Sequence, residues 1–171
     1  MKVYTKKGDK GTTTKYDGQR VDKDDELIVI VSEVDYLLGA LDSCVVVLDD
    51  KEKIELIESI QEKLWQTAGE LSRGSPTAKV TKEISLADIE MIEGQIDKYS
   101  KDIKHFVRFR TKESVELNEA RLRTRKLEVS LTKLLRENKM REEIYVYINR
   151  LSDLLYVLAC DEGKDKLSFL K

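Results

Sequence analysis

Residues 141–160 read REEIYVYINRLSDLLYVLAC, and their apolar spacing decides the fold. Ile144, Ile148, Leu151, Leu155 and Leu158 recur at intervals of 4, 3, 4 and 3. That is the period of a helix face packed along a bundle seam. It predicts a helix from about Arg141 to Cys160, with Gly163 placed to end it. Asn149, Ser152, Asp153 and Tyr156 flank the seam, and Asn149 and Asp153 share a face one turn apart. Polar groups so placed most often make interhelical hydrogen bonds.

The neighbouring segments carry the same period. Residues 112–137, KESVELNEARLRTRKLEVSLTKLLRE, predict a long helix that aligns Arg121, Arg125 and Glu128 on one face. Two arginines beside a carboxylate can hold a phosphate chain in a fixed geometry; the same pattern also serves as a solvated face laced with weak ion pairs. A first helix is expected from about Asp24 to Leu48, apolar on several faces and therefore central. Asp35 interrupts it and either takes an arginine partner or faces solvent. A second helix, Lys51 to Ser72, has its stripe in Ile54, Ile57, Leu64, Ala68 and Leu71, with Trp65 expected in the core. Ser85 is a good N-cap for a third, through about Tyr99, with Leu86, Ile89, Ile92 and Ile96 facing inward. The lone proline, Pro76, lies in the loop 73–84, which leaves long tracts free for helix. The polar tail from residue 163 to 171 is expected to be loosely held. The prediction is an all-α, five-helix up-and-down bundle over 24–162, within a single domain spanning 1–171.

Ahead of the bundle, residues 4–23 read YTKKGDKGTTTKYDGQRVDK. Gly8, Gly11 and Gly18 let backbone N–H groups turn toward an anion. The hydroxyls of Thr5, Thr12, Thr13 and Thr14 can donate to phosphate oxygens or reach a magnesium ion. Lys6, Lys7, Lys23 and Arg20 supply countercharge around Asp9. The Gly-x4-Gly-Lys-Ser/Thr spacing of a P-loop is absent, and an exposed basic turn is the alternative.

Composition narrows the chemistry. Lys+Arg number 31 and Asp+Glu 33 in 171 residues, a net charge of -2 that argues against a general nucleic-acid binder or a polybasic membrane-surface protein. Cys44 and Cys160 are the only cysteines, too few for a secreted disulfide scaffold. With His105 the only histidine, a His-rich zinc or di-iron site and a Ser–His–Asp triad fall away. The sequence shows neither an apolar run long enough to span a bilayer nor an apolar leader at MKVYTKKGDK, so a cytoplasmic protein is expected.

Taken in order, these segments resemble the PduO-type ATP:cob(I)alamin adenosyltransferases. The family's Tyr-Thr-x-x-Gly-Asp-x-Gly-Thr-Thr and Gly-x-Arg-Val-x-Lys are similar to Tyr4–Thr13 and Gly18–Lys23. Its Val-Asp-x-Leu resembles Val34–Leu37, and LWQTAGELS at 64–72 is similar to its second-helix segment. Arg-x-x-x-Arg-Arg-x-Glu resembles Arg121–Glu128, and Tyr-x-Asn-Arg-Leu-Ser-Asp-x-Leu-Phe resembles Tyr147–Tyr156. The resemblance implies a ferritin-like bundle, a homotrimer, and active sites between neighbouring subunits. ATP would be the co-substrate, Mg2+ its counterion and cobalamin the acceptor, with no haem and no zinc. Thr5, Lys6, Lys7, Gly8, Thr13, Thr14 and Lys23 would hold the triphosphate and its magnesium, within an ATP loop that also contains Asp9, Gly11, Thr12 and Arg20. Arg125, Lys126, Leu127, Glu128, Val129 and Asn149 would hold the rest of ATP. Arg125 would act in catalysis, with Asp35 pairing Arg121 across subunits. Phe106 matches the aromatic that packs under the corrin. A flavoprotein reductant and an adenosylcobalamin-dependent enzyme are the implied partners.

The sequence also departs from the family. Its Pro-Gly-Gly turn is replaced by Val107-Arg108-Phe109-Arg110-Thr111, the second arginine of its pair by Lys126, its Gly-Thr by Ser32-Glu33, and a fourth-helix histidine by Asn118. The usual Glu and Asn after the first-helix aspartate are Tyr36 and Leu38. The alternatives are therefore a non-catalytic ATP-binding or cobalamin-delivering trimer, and a structural bundle without a ligand.

Overall fold

A computed structural model describes residues 4–73, 83–100, 107–163 and 168–169. Five helices dominate: α1 (Glu26–Val47), α2 (Lys51–Leu71), α3 (Leu86–Tyr99), α4 (Lys112–Arg136) and α5 (Glu142–Gly163). Side-chain caps set four of the starts. Asp25 accepts from the Leu27 N–H on α1, and Asp50 from the Glu52 and Lys53 N–H groups on α2. Ser85 with Asp88, and Thr111 with Ser114, form reciprocal capping boxes on α3 and α4.

Ion pairs between neighbours give the directions. Lys126–Glu33 and Lys133–Glu26 run α4 antiparallel to α1. Lys98–Glu52 and Lys63–Asp88 run α3 antiparallel to α2. Glu128 meets Tyr145 and Asn149, so α5 runs back along α4. The helices thus alternate up and down. The core runs through all five, with Leu37, Leu41, Ile57, Leu64, Ile92, Leu127, Leu131, Ile148, Leu151 and Leu155 fully buried.

Two small antiparallel pairs decorate the bundle. β1 (Thr12–Thr14) pairs with β2 (Arg20–Asp22), so the N-terminal stretch is a hairpin rather than an unstructured loop. β3 (Val107–Arg108) pairs with β4 (Ser168–Phe169), the two described residues of the tail.

Several sequence expectations change. Trp65 is 63% exposed, because it stands on the outer side of α2 rather than on its core stripe. Leu86 is the first residue of α3 and lies outside the buried track of Ile89 and Ile92, which leaves it 69% exposed. Helix α5 ends at Gly163, the residue placed to stop it, three residues past Cys160. Lys53, in the first turn of α2, is buried. It bonds Asp161 and Glu162 and lies over the Tyr99 ring, stapling the start of α2 to the end of α5. Burial opposes its charge, but the two carboxylates outweigh burial and raise its pKa.

Candidate functional site

Two groups of side chains stand out, one on the α4–α5 seam and one on the hairpin. On the seam, Asn149 Nδ2 donates to Glu128 Oε1 at 3.0 Å, and Arg150 Nη1 donates to Asn149 Oδ1 at 3.1 Å. Arg150 Nε in turn donates to Glu93 Oε1 on α3 at 2.8 Å. This chain of bonds fixes the Asn149 amide and uses its acceptor. Arg125 lies one turn before Glu128, exposed, with no hydrogen bond or ion pair among the described residues. Lys126 turns instead toward α1, 3.6 Å from Glu33, and Val129 is 73% exposed. Leu127, expected among the ATP contacts, is fully buried, so it lies behind the surface that the others present.

Toward the other end of the seam, Arg121 Nε donates to Asn118 Oδ1 at 2.9 Å. Its guanidinium lies 5.7 Å from the centre of the Tyr156 ring, and Phe109 meets that ring edge-on at 6.2 Å. Burial, and the like charge of Arg125, lower the Arg121 pKa. Phe106 lies outside the described residues. Phe109 and Tyr156 were placed in the sequence motifs but given no part in the site there. Their signal was present in HFVRFR and in a tyrosine two turns after Asn149.

The hairpin gathers most of the remaining residues. The Arg20 guanidinium donates to the Lys7 carbonyl and to Thr12 Oγ1, joining the first turn to β1. The Gly11 N–H bonds the Gly8 carbonyl at 3.1 Å, and the Lys23 N–H bonds the Gly11 carbonyl at 2.8 Å. Gly11 has φ +75°, a turn conformation that a Cβ would strain. Lys6 adopts a left-handed φ of 59°. The Lys23 ammonium comes so close to Gly8 that a Cβ there would stand 3.3 Å from it. Thr5, Lys7, Asp9 and Thr14 are exposed along the same segment. A Lys15–Asp25 ion pair at 2.9 Å and an Arg73 guanidinium over the Tyr16 ring tether the hairpin to the bundle.

Asp35 is exposed on α1 and makes no contact with Arg121 within the chain. The sequence-expected residues therefore form two separate surfaces, with Asp35 on a third. Among the described residues no group of three His, Cys, Asp or Glu side chains is placed to hold a metal ion, and no helix is long and apolar enough to cross a membrane.

The family model described as cobalamin adenosyltransferase matches residues 3–162. This chain belongs to the cobalamin adenosyltransferase family.

Among its relatives, the corrinoid adenosyltransferase PduO of Salmonella typhimurium is 34% identical over 96% of this chain. The chain spans about half (51%) of that protein's length. A corrinoid adenosyltransferase of Citrobacter freundii is 33% identical over 92% of this chain and 93% of its own length. The fold agrees with that of an arginine-to-lysine variant of a PduO-type ATP:co(I)rrinoid adenosyltransferase from Lactobacillus reuteri, complexed with ATP. The TM-score is 0.86 at 25% identity, covering 99% of this chain and all of the other. A phenylalanine-to-alanine variant of the same type, complexed with cobalamin and ATP, has the same fold at 24% identity and a TM-score of 0.86.

Proposed function

We propose that this chain transfers the 5′-deoxyadenosyl group of ATP to the cobalt of cob(I)alamin, giving adenosylcobalamin and triphosphate. The match of the cobalamin adenosyltransferase family model over residues 3–162 carries this reading, because it spans both the hairpin and the seam. In the reaction the electron pair on cobalt(I) forms the Co–C5′ bond while the C5′–O bond breaks, and triphosphate leaves with the electron pair of the C5′–O bond. No protein nucleophile is required. The chain's work is to align C5′ and to stabilise charge on the leaving triphosphate.

The residues fit those tasks. Lys7, Lys23 and the turned backbone around Gly8 and Gly11 suit a polyphosphate. Mg2+ would be carried between its phosphate oxygens. Arg125, with no ion pair among the described residues, stands on the seam beside an amide that Glu128 and Arg150 hold fixed, which suits contact with ATP. Arg121 lacks a carboxylate partner among the described residues, as expected of a group that pairs with Asp35 of a neighbouring subunit in a homotrimer. Phe109 and Tyr156 offer an aromatic wall on the corrin side. The reading places the protein in the cytoplasm, supplied by a flavoprotein reductant and feeding an adenosylcobalamin-dependent enzyme.

The test is anaerobic incubation of reduced cobalamin and Mg-ATP with the protein, followed by the absorbance change of adenosylcobalamin formation. ATP binding without product would sink the reading. That outcome would favour the second one, a non-catalytic ATP-binding or cobalamin-delivering trimer, which the absence of the Pro-Gly-Gly turn at 107–111 supports.

A further inference from the structure

Two positions at which this sequence departs from the family meet in space. Glu33 replaces a family threonine on α1, and Lys126 replaces the second arginine of a pair on α4. Lys126 Nζ lies 3.6 Å from Glu33 Oε1. Another pair joins the same helices, Lys133–Glu26 at 2.9 Å, and both of its side chains reach solvent. Glu33 differs. It is 6% exposed, and its Oε2 has no hydrogen-bond partner among the described residues. The neighbouring Ser32 hydroxyl donates to the Ile28 carbonyl at 2.8 Å and so serves its own helix. Arg123, the previous cation on that side of α4, bonds Glu119 and lies over the Tyr36 ring. Lys126 is the countercharge that remains.

The pair is asymmetric. Packing fixes the carboxylate, and a buried carboxylate that loses its countercharge is strongly penalised. The lysine side chain is 64% exposed and would otherwise roam among many rotamers. It also lacks the planar fork with which arginine pre-orders its donors. Glu33 supplies that order from outside. At 3.6 Å the contact is an ion pair rather than a hydrogen bond, so the N–H donors of the ammonium stay available.

We propose that Glu33 is a positioning residue for the adenosyl transfer: it holds the Lys126 ammonium in place, donors free, to meet the adenosine half of ATP. This rests on the adenosyl-transfer reading above. Because Glu33 offsets the charge, the poised ammonium suits the neutral acceptors of ribose and base. The triphosphate is left to the lysines of the hairpin.

Steady-state kinetics with Mg-ATP and cob(I)alamin, beside calorimetric binding of ATP and of inorganic triphosphate to the full chain, test this. Glu33→Gln keeps the shape and removes the charge. It should raise KM for ATP about tenfold, with smaller changes in kcat and in KM for cobalamin, and should not weaken triphosphate. Lys126→Met should weaken ATP by a similar factor, and the double variant by no more than either alone. Glu33→Asp combined with Lys126→Arg should recover part of the loss. Without ligand, nitrogen relaxation of the Lys126 ammonium should report a restricted side chain, released in Glu33→Gln. If transfer proceeds and Glu33→Gln leaves KM for ATP unchanged, or acts in full on the Lys126→Met background, the positioning role is refuted and the transfer reading stands. Equal weakening of ATP and triphosphate, or a mobile Lys126 ammonium in the unaltered chain, refutes it too. A chain that binds no ATP refutes both. Should Glu33→Gln not fold, the relaxation of Lys126 in the unaltered chain and the ATP-against-triphosphate comparison in Lys126→Met still decide.

Discussion

The seam and the hairpin both carry candidate ligand-binding residues, but they are held in opposite ways. Behind the seam, Leu127, Leu131, Ile148 and Leu151 are fully buried, and a chain of hydrogen bonds runs from Glu128 through Asn149 and Arg150 to Glu93. In the hairpin no residue from 4 to 23 is buried, and among the described residues the Lys15–Asp25 ion pair and the Arg73 guanidinium over the Tyr16 ring help tie it to the helices. Packing has already organised the first surface. The second has so little burial that a ligand must contribute to ordering it, and part of the binding energy goes to that ordering.

The sharpest way to break this comparison is Arg125→Ala. The side chain is exposed and makes no hydrogen bond or ion pair among the described residues, so the melting temperature should hold while adenosyl transfer falls about 100- to 1,000-fold, the size expected when a cation on a leaving group is lost. Unchanged turnover would remove Arg125 from the site. Next comes stability. Leu151→Ala, in the packed seam, should cost about 3 kcal/mol in urea unfolding, whereas Arg20→Ala in the hairpin should cost less than about 1 kcal/mol and raise KM for ATP instead. Equal costs would mean that the hairpin is integral to the bundle.

Ligand should narrow the difference. Mg-ATP at a hundredfold excess over its Kd should add about 2.7 kcal/mol to stability and slow tryptic cleavage within residues 4–23 more than elsewhere. Uniform protection would contradict local ordering. The smallest effect is on pH. The Lys15 hydrogen bond holds the Asp25 carboxyl below its usual 3.8. A carboxylate lowered in the folded state contributes stability above its unfolded pKa and loses it as pH falls through the folded value. Acidification below about pH 4 should therefore free the hairpin, and Asp25→Asn should abolish that step.

The same contrast explains what could be read from sequence. Helix starts were legible because Ser85 carries a local cap and the 4-3 spacing of α5 repeats over several turns. Trp65 and Leu86 were misplaced because residue type gives the average environment, while position on the helix gives the actual one. The burial of Lys53 had no local signal, since its partners Asp161 and Glu162 lie over a hundred residues away. The hairpin motif was readable as a list of residue types. Its internal bonding was not, because Arg20 reaches back to Lys7 and Thr12 across turns that only the folded backbone defines.

The approach of Lys23 to Gly8 has a consequence of its own. A methyl group at position 8 would press on the ammonium from 3.3 Å, closer than ordinary van der Waals contact, and that ammonium ends a flexible chain. The backbone could stay in place while the charge is pushed aside. Position 8 then acts as a wedge under a movable electrode: Gly8→Ala would leave the fold intact and shift where the positive potential is focused.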